Sequence, residues 1–274
     1  MTSPMTNSMT SPTGAPGHTA TLRAPAGVVG MTARYALIST RTAYRNLRFL
    51  VLTVALPLLL FLLYANVYQG QSTDSGLSVT AYLMVSMASF GCIGAAINTG
   101  ARVAIERQVG WNRQLRLTAL PPNSYLIGKA VVSMLVTLPA LILVFIAGAT
   151  VGHVSLTPTE WLATGVSVWL GLIPFAVLGL VIGFAGTVDS VQPISMLTYL
   201  GLSILGGLWF PVELFPAFLQ AVAKVMPSYW LADLGRSVLA GDGVPMTAVL
   251  VLAAWTVVLS VLGAFAYSRS GTKV

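Results

Sequence analysis

Charge is what this 274-residue chain has least of. Only 8% of its residues are Asp, Glu, Lys or Arg, where a soluble domain carries roughly 25%. So few charges cannot cover a water-soluble fold of this size, which excludes a soluble globular domain. Cysteine is nearly absent too. Cys92 stands alone, so no disulfide can form within the chain, and a small buried apolar role suits it. The two histidines, His18 and His153, fall in a tail and a loop. No His, Cys or carboxylate cluster has metal-ligand spacing, so no metal site is expected. Catalytic signatures are missing as well: there is no G-x-S-x-G elbow, no H-E-x-x-H and no P-loop, and Gly128-Lys129 lacks the upstream glycine of a phosphate loop. The chain is expected to be neither an enzyme nor the holder of a cofactor.

What is present is apolar length. Hydrophobic residues make up 56% of the chain, in stretches that approach or exceed the roughly 20 residues a bilayer requires. An all-α polytopic membrane protein is the expected fold class. Residues 1–30 are rich in Ser, Thr, Pro and Gly and read as a disordered cytoplasmic tail without the hydrophobic region of a signal peptide. Residues 31–48 predict a helix in which Arg34, Arg41, Arg45 and Arg48 share a face, with Ala33, Ala36, Ala43 and Leu47 on the opposite arc. Such a helix suits the inner membrane surface. Six spans are predicted at about 49–69, 79–101, 126–150, 161–186, 193–210 and 246–267. Pro57, Pro139 and Pro174 fall within them and can kink their helices. The pairs Gly148/Gly152 and Gly179/Gly183 mark close helix packing.

Where the bases lie sets the orientation. The net charge of +7 does not point to nucleic acid, because the bases flank apolar runs rather than forming a groove-sized patch. With the N-terminus in the cytoplasm, 12 Lys and Arg side chains fall on the inner side and 2, Lys224 and Arg236, on the outer. Both termini are therefore expected in the cytoplasm. The apolar cores of the spans contain no Asp, Glu, Lys or Arg, although ion-coupled carriers keep such charges where function needs them. A proton-driven carrier is disfavoured, and energy for active transport would have to come from another protein.

The scarce charges gather instead between the second and third spans, in "RVAIERQVGWNRQLRL" at 102–117. Arg102, Glu106 and Arg113 fall on one helical face, and Val103, Val109, Trp111 and Leu115 add apolar and aromatic surface. Gly110 allows a bend, and Pro121-Pro122 ends the element. A mixed charged and aromatic surface suits docking to a soluble partner. The same bases would also serve simply to anchor topology, and Glu106 and Arg107 to hold the loop to an inner helix.

The stretch "ERQVGWNRQLRLTALPPNSYLIGK" resembles the cytoplasmic loop of type-2 ATP-binding-cassette (ABC) exporter permeases, through Glu106, Arg107, Gly110, Leu115, Arg116, Pro121, Tyr125, Gly128 and Lys129. A second region, "GGLWFPVELFPAFLQAVAKVMPSYWLADLGRSVLAGD", is similar to that family's segment between its last two spans, through Gly207, Phe210, Pro211, Glu213, Pro216, Pro227, Tyr229, Asp233 and Arg236. The subgroup most resembled is the daunorubicin/doxorubicin-resistance permeases of actinobacteria, although "ALPP" at 119–122 stands where a T-P-L or S-P-L is more usual.

The resemblance implies a transmembrane domain over 31–274, a second copy of the permease, and two copies of a separate ABC ATPase that binds ATP and Mg. It implies that Arg102, Glu106, Arg107, Gly110, Trp111, Arg113 and Arg116 belong to a coupling segment against that ATPase. It also implies short extracellular re-entrant helices capping the exit, with Pro211, Glu213, Pro216, Pro227, Tyr229, Asp233 and Arg236. Glu213 with Lys224, or Asp233 with Arg236, can pair there. Substrate would pass between spans two and five. Met84, Met87, Phe90, Asn98, Met196, Tyr199 and Leu202 are the lining candidates, because Met and aromatic surfaces tolerate varied apolar ligands. The expected cargo is a hydrophobic drug, antibiotic or lipid-like molecule. A lipid-linked polysaccharide or an ion is the alternative within the class, and a membrane scaffold or sensor partner the alternative outside it.

Overall fold

The computed structural model describes residues 28–68, 70–72, 77–110 and 122–270. The expected tail, apart from its last three residues, lies outside the described residues. Those described are helical throughout their regular elements, with one isolated antiparallel bridge between Ser72 and Ser78. The helices are α1 (Val28–Arg45), α2 (Leu47–Val67), α3 (Val79–Ala101), α4 (Val103–Gln108), α5 (Pro122–Thr150), α6 (Pro158–Gly171), α7 (Ile173–Ala185) and α8 (Val188–Leu205). A 3-10 turn (Val212–Leu214), α9 (Ala217–Ala223), α10 (Pro227–Ala240) and α11 (Met246–Ser270) complete the order.

Four apolar helical stretches among the described residues are long enough to cross a bilayer: Val79–Gln108, Tyr125–Thr150, Pro158–Ala185 and Met246–Tyr267. The expected first span contributes a shorter apolar stretch, Thr53–Val67. The expected fifth span is α8, with 18 residues and the polar Asp189 and Gln192 in its first turns. It begins five residues before the expected 193 because Thr187 and Ser190 form a reciprocal cap that starts the helix at Val188. It ends at Leu205, ahead of Gly207, whose φ of 70° leaves the helical region. The expected fourth span is broken at Leu172 into α6 and α7. Pro174, two residues on, has no N–H to donate, and its ring opposes the carbonyl of Leu170, so the helix restarts there. Pro57 and Pro139, by contrast, stay inside α2 and α5.

α3 is the axis of the bundle, and nearly all of its residues are buried. Its composition explains why. Glycines at three depths admit three different neighbours. A methyl group on Gly91 would stand 2.9 Å from Pro57 of α2, one on Gly94 would stand 2.9 Å from the Tyr199 ring of α8, and one on Gly100 would meet the backbone of Gly179 on α7. The Gly179/Gly183 pair is thus a backbone-to-backbone crossing with α3, as the small-residue spacing predicts. Gly148 and Gly152 also pack closely, receiving Met84 and the Thr80 and Phe61 side chains. Ser133 of α5 donates to Ala96 O at 2.7 Å, and buried Cys92 faces Thr137 O at 3.6 Å, which fixes α5 against α3.

α1 lies along α5. Ala36, Val132 and Val136 are buried together with Ala43 against them, while Arg34, Arg41 and Arg45 point away. Three of the four arginines expected to share a face, Arg34, Arg41 and Arg45, are exposed, and the side chain of Arg48 is not among those described; Ala33 is exposed too, and Leu37 and Ile38 stand exposed among the arginines. The side chain of Leu47 is not among those described. α11 is peripheral and mostly exposed, consistent with a helix facing lipid.

Candidate coupling site and adjoining cleft

α3 passes through a single turn residue, Arg102, into α4, and Glu106 N still donates to Arg102 O. α4 ends at Gln108, two residues before Gly110, whose φ of 75° favours glycine. Of the expected coupling residues, Trp111, Arg113 and Arg116 lie outside the described residues, as does Leu115.

The charges of α4 turn inward. Glu106 forms an ion pair with Lys129 of α5, whose side chain is 8% exposed. The Tyr125 hydroxyl, one turn earlier on α5, donates to the other Glu106 oxygen at 2.9 Å. Tyr35 of α1 tilts against the Tyr125 ring at 6.0 Å and lies across Gly128, where a methyl group would stand 2.7 Å from its ring. Burial, and then the Glu106 charge, push the Tyr35 hydroxyl well above its ordinary pKa, so it stays neutral beside the carboxylate. Arg107 donates to the carbonyls of Phe184 at 2.6 Å and Gly183 at 3.4 Å. These belong to the last turn of α7, the negative end of its dipole. Glu106 and Arg107 therefore hold α4 to the adjacent ends of α5 and α7, which was the second role open to them.

The outward surface of α4 is apolar. Ile105 and Val109 are 46% and 69% exposed, with exposed Gln108 between them. Val103, expected to share this surface, is fully buried against Gly183 instead. Ile105 and Gln108 were not among the expected contact residues, because their outward direction depends on which face the Glu106–Lys129 pair turns inward.

A cleft of about 660 Å³ adjoins this joint, between α2, the α3–α4 turn and α8. Arg102, Ile105 and Glu106 line its inner end. Asn98 and Tyr199 line it further along, with Gly94 and Leu56. Asn98 donates to Gly94 O at 2.8 Å, which leaves its amide oxygen for other partners. The Tyr199 ring stacks on Phe90 at 4.8 Å and 11°, and Phe90 meets the Trp209 edge at 5.4 Å. Of the expected lining residues, Asn98 and Tyr199 reach the cleft. Phe90 backs Tyr199, Leu202 is half-buried against the core, and Met84 and Met87 are fully buried within it. Met196 is 57% exposed and does not line the cleft. Asn46, Thr53 and Gln192 also line it. A polar side chain beside an apolar run was their only sequence signal.

At the other end, Pro211 and Pro216 precede the 3-10 turn and α9, and Pro227 opens α10. Ser228 donates to Leu202 O and ties α10 to α8. The Arg236 guanidinium sits 4.3 Å from the Tyr82 ring centre, and its Nε donates to Ala232 O at 3.1 Å. Neither Glu213 with Lys224 nor Asp233 with Arg236 closes to an ion pair; among the described residues the pair that does is Glu106 with Lys129. Burial holds the Asp233 carboxyl above its ordinary pKa, with Arg236 opposing. Tyr229 and Trp230 stand perpendicular at 5.2 Å, and the Trp230 indole donates to Lys224 O.

Comparison with known proteins identifies the family. The model of the ABC-2 type transporter family matches residues 36–240, from α1 through α10. A protein of Bacillus subtilis (strain 168) whose name describes a transport permease, YvfS, is 28% identical over 233 residues, covering 85% of this chain and 95% of its own. The chain belongs to the ABC-2 type transporter family: it is a transmembrane permease subunit of an ABC transporter, which relies on an ABC ATPase and is not itself an enzyme.

Proposed function

We propose that the chain exports a hydrophobic drug, antibiotic or lipid-like molecule across the plasma membrane, as a pair of permeases powered by two ATPase subunits that bind ATP and Mg. In this reading α2 and α8 complete six spans, both termini are cytoplasmic, and the 3-10 turn, α9 and α10 are re-entrant elements capping the outer side. The observation that carries it is the continuity of the joint with the cleft. Arg102, Ile105 and Glu106 of the connector also form the cleft's inner wall, so a partner pressing on the connector would reshape the cleft directly. The docking surface includes the apolar patch of Ile105 and Val109, and Trp111, Arg113 and Arg116, which follow in the sequence, belong to the same coupling segment. The wall joins aliphatic and aromatic surface to a few amides and the charged Arg102 and Glu106, which suits an apolar cargo with a polar end.

The test uses proteoliposomes containing the permease with its ATPase, and a hydrophobic cationic dye as probe. Ile105→Asp with Val109→Asp should abolish co-purification of the ATPase. Tyr199→Ala should leave that association intact and change dye transport several-fold. Uphill dye movement by the permease alone, or undiminished ATPase binding by the double aspartate variant, refutes the proposal.

A further inference from the structure

We infer that Lys129 is a positioning residue of the transport cycle: its ion pair with Glu106 makes the connector and α5 a single moving part. The inference rests on the reading of α4 as the segment that meets the ATPase.

A load applied to the exposed face of α4 at Ile105 and Val109 can leave the helix along few routes. One is the chain itself, through Arg102 into α3. The others are the packing of buried Val103 and Ala104 against α7 and α8, and the two inward side chains: Glu106 to Lys129 and Tyr125 on α5, and Arg107 to the end of α7. The Glu106 route differs in kind, because Lys129 is a nearly buried cation with one counterion. The other described acids are distant from it along the fold. Glu160, Glu213, Asp233 and Asp242 belong to the opposite end of the bundle, and Asp189 opens α8. Parting Glu106 from Lys129 would leave an uncompensated charge in a poorly solvated site, which is strongly unfavourable. The pair therefore stays closed as the connector moves, and α5 moves with it.

The neighbouring contacts reinforce this. Tyr125 and Lys129 are one turn apart on the same face of α5, and both grip Glu106. Tyr35 lies across Gly128 between them, so α1 follows the same turn of α5. Three helices are thus joined where Glu106 also faces the cleft. Sequence alone placed Lys129 among the inner-side bases and in the loop motif that carries the family resemblance, without assigning it a partner.

The test separates this role from a purely structural one. Removing one partner risks misfolding through the lone charge, whereas replacing both with apolar residues of similar length does not bury one. The transporter carrying Glu106→Met with Lys129→Met should purify with its ATPase in wild-type yield, because the outward Ile105 and Val109 are unchanged. Dye transport and dye-stimulated hydrolysis should fall at least ~10-fold. The charge exchange Glu106→Lys with Lys129→Glu should recover a substantial part of both, as a pairwise cycle requires. Wild-type transport by the double Met variant, or an exchange variant that assembles normally but recovers nothing, overturns the inference while leaving the docking reading intact. Loss of the docking reading itself would appear separately, as ATPase binding that ignores Ile105→Asp with Val109→Asp, and would take this inference with it.

Discussion

The crossing of α3 with α7 gives the sharpest stability prediction. In Gly179→Ala, the new methyl group would stand 2.7 Å from Ile97 O and 2.9 Å from Ala96 O. Both atoms are backbone, on a helix buried along most of its length, so neither can swing aside as a side chain would. Restoring an ordinary 3.4 Å contact requires the helices to part by roughly 0.7 Å. That separation would also loosen the contacts at Gly100 and Gly183. Overpacking of this kind costs about 1–3 kcal/mol, while replacing a helical glycine with alanine returns up to about 1 kcal/mol. The rigid obstruction places the cost toward its upper end, so the net loss is about 1–2 kcal/mol, a factor of 5–30 in the folded-to-unfolded ratio. Gly263→Ala is the control. Its methyl group would meet only Val181 Cγ2 at 3.4 Å, so helix propensity decides and stability should hold or rise slightly. Titration from mild detergent into SDS, followed by circular dichroism, measures both. A Gly179→Ala midpoint at or above wild type, with Gly263→Ala falling below it, would refute the reasoning.

Two further outcomes follow from the ends of the bundle. Arg107→Gln removes the charged donor from the carbonyls of Gly183 and Phe184; it should cost about 1.5–3 kcal/mol and raise hydrogen exchange in residues 180–187, while unchanged exchange there would show that the guanidinium does not hold that turn. Asp233 predicts a pH dependence: its folded carboxyl titrates above the 3.8 of the free side chain, so the folded state holds the proton more tightly. The stability contributed by this group should be fully present below pH 3.8 and be lost as pH rises from there through the raised folded value. Asp233→Asn, neutral throughout, should flatten that slope and exceed wild-type stability at pH 7, and a midpoint lower than wild type at pH 7 would contradict the sign.

Much of the fold was readable because it depends on local composition. The boundaries of α3 coincide with the expected 79–101, and α5 and α11 lie within a few residues of expectation, since a long apolar run can lower its free energy in lipid only as a helix with its backbone bonds made internally. The glycine spacings foretold close crossings for the same kind of reason. Less legible were the interruptions. The break at Leu172 follows from Pro174, yet Pro57 and Pro139 are carried inside unbroken helices, a difference that the presence of proline alone does not encode.

The site divides along the same line. Composition and order determined that this chain is a membrane protein with several of its scarce charges gathered on the connector after α3, because charge is costly in lipid and concentrates where water and partners are, while the loop motifs carried the resemblance to permeases. The tertiary structure decided which way those charges face. Glu106 and Lys129 are 23 residues apart, and Arg107 and Phe184 77 apart, so their pairing exists only once α3, α5 and α7 have packed. That packing turns the ions inward and the aliphatic side chains of Ile105 and Val109 out, an arrangement set by long-range contact geometry that helical periodicity within α4 cannot encode.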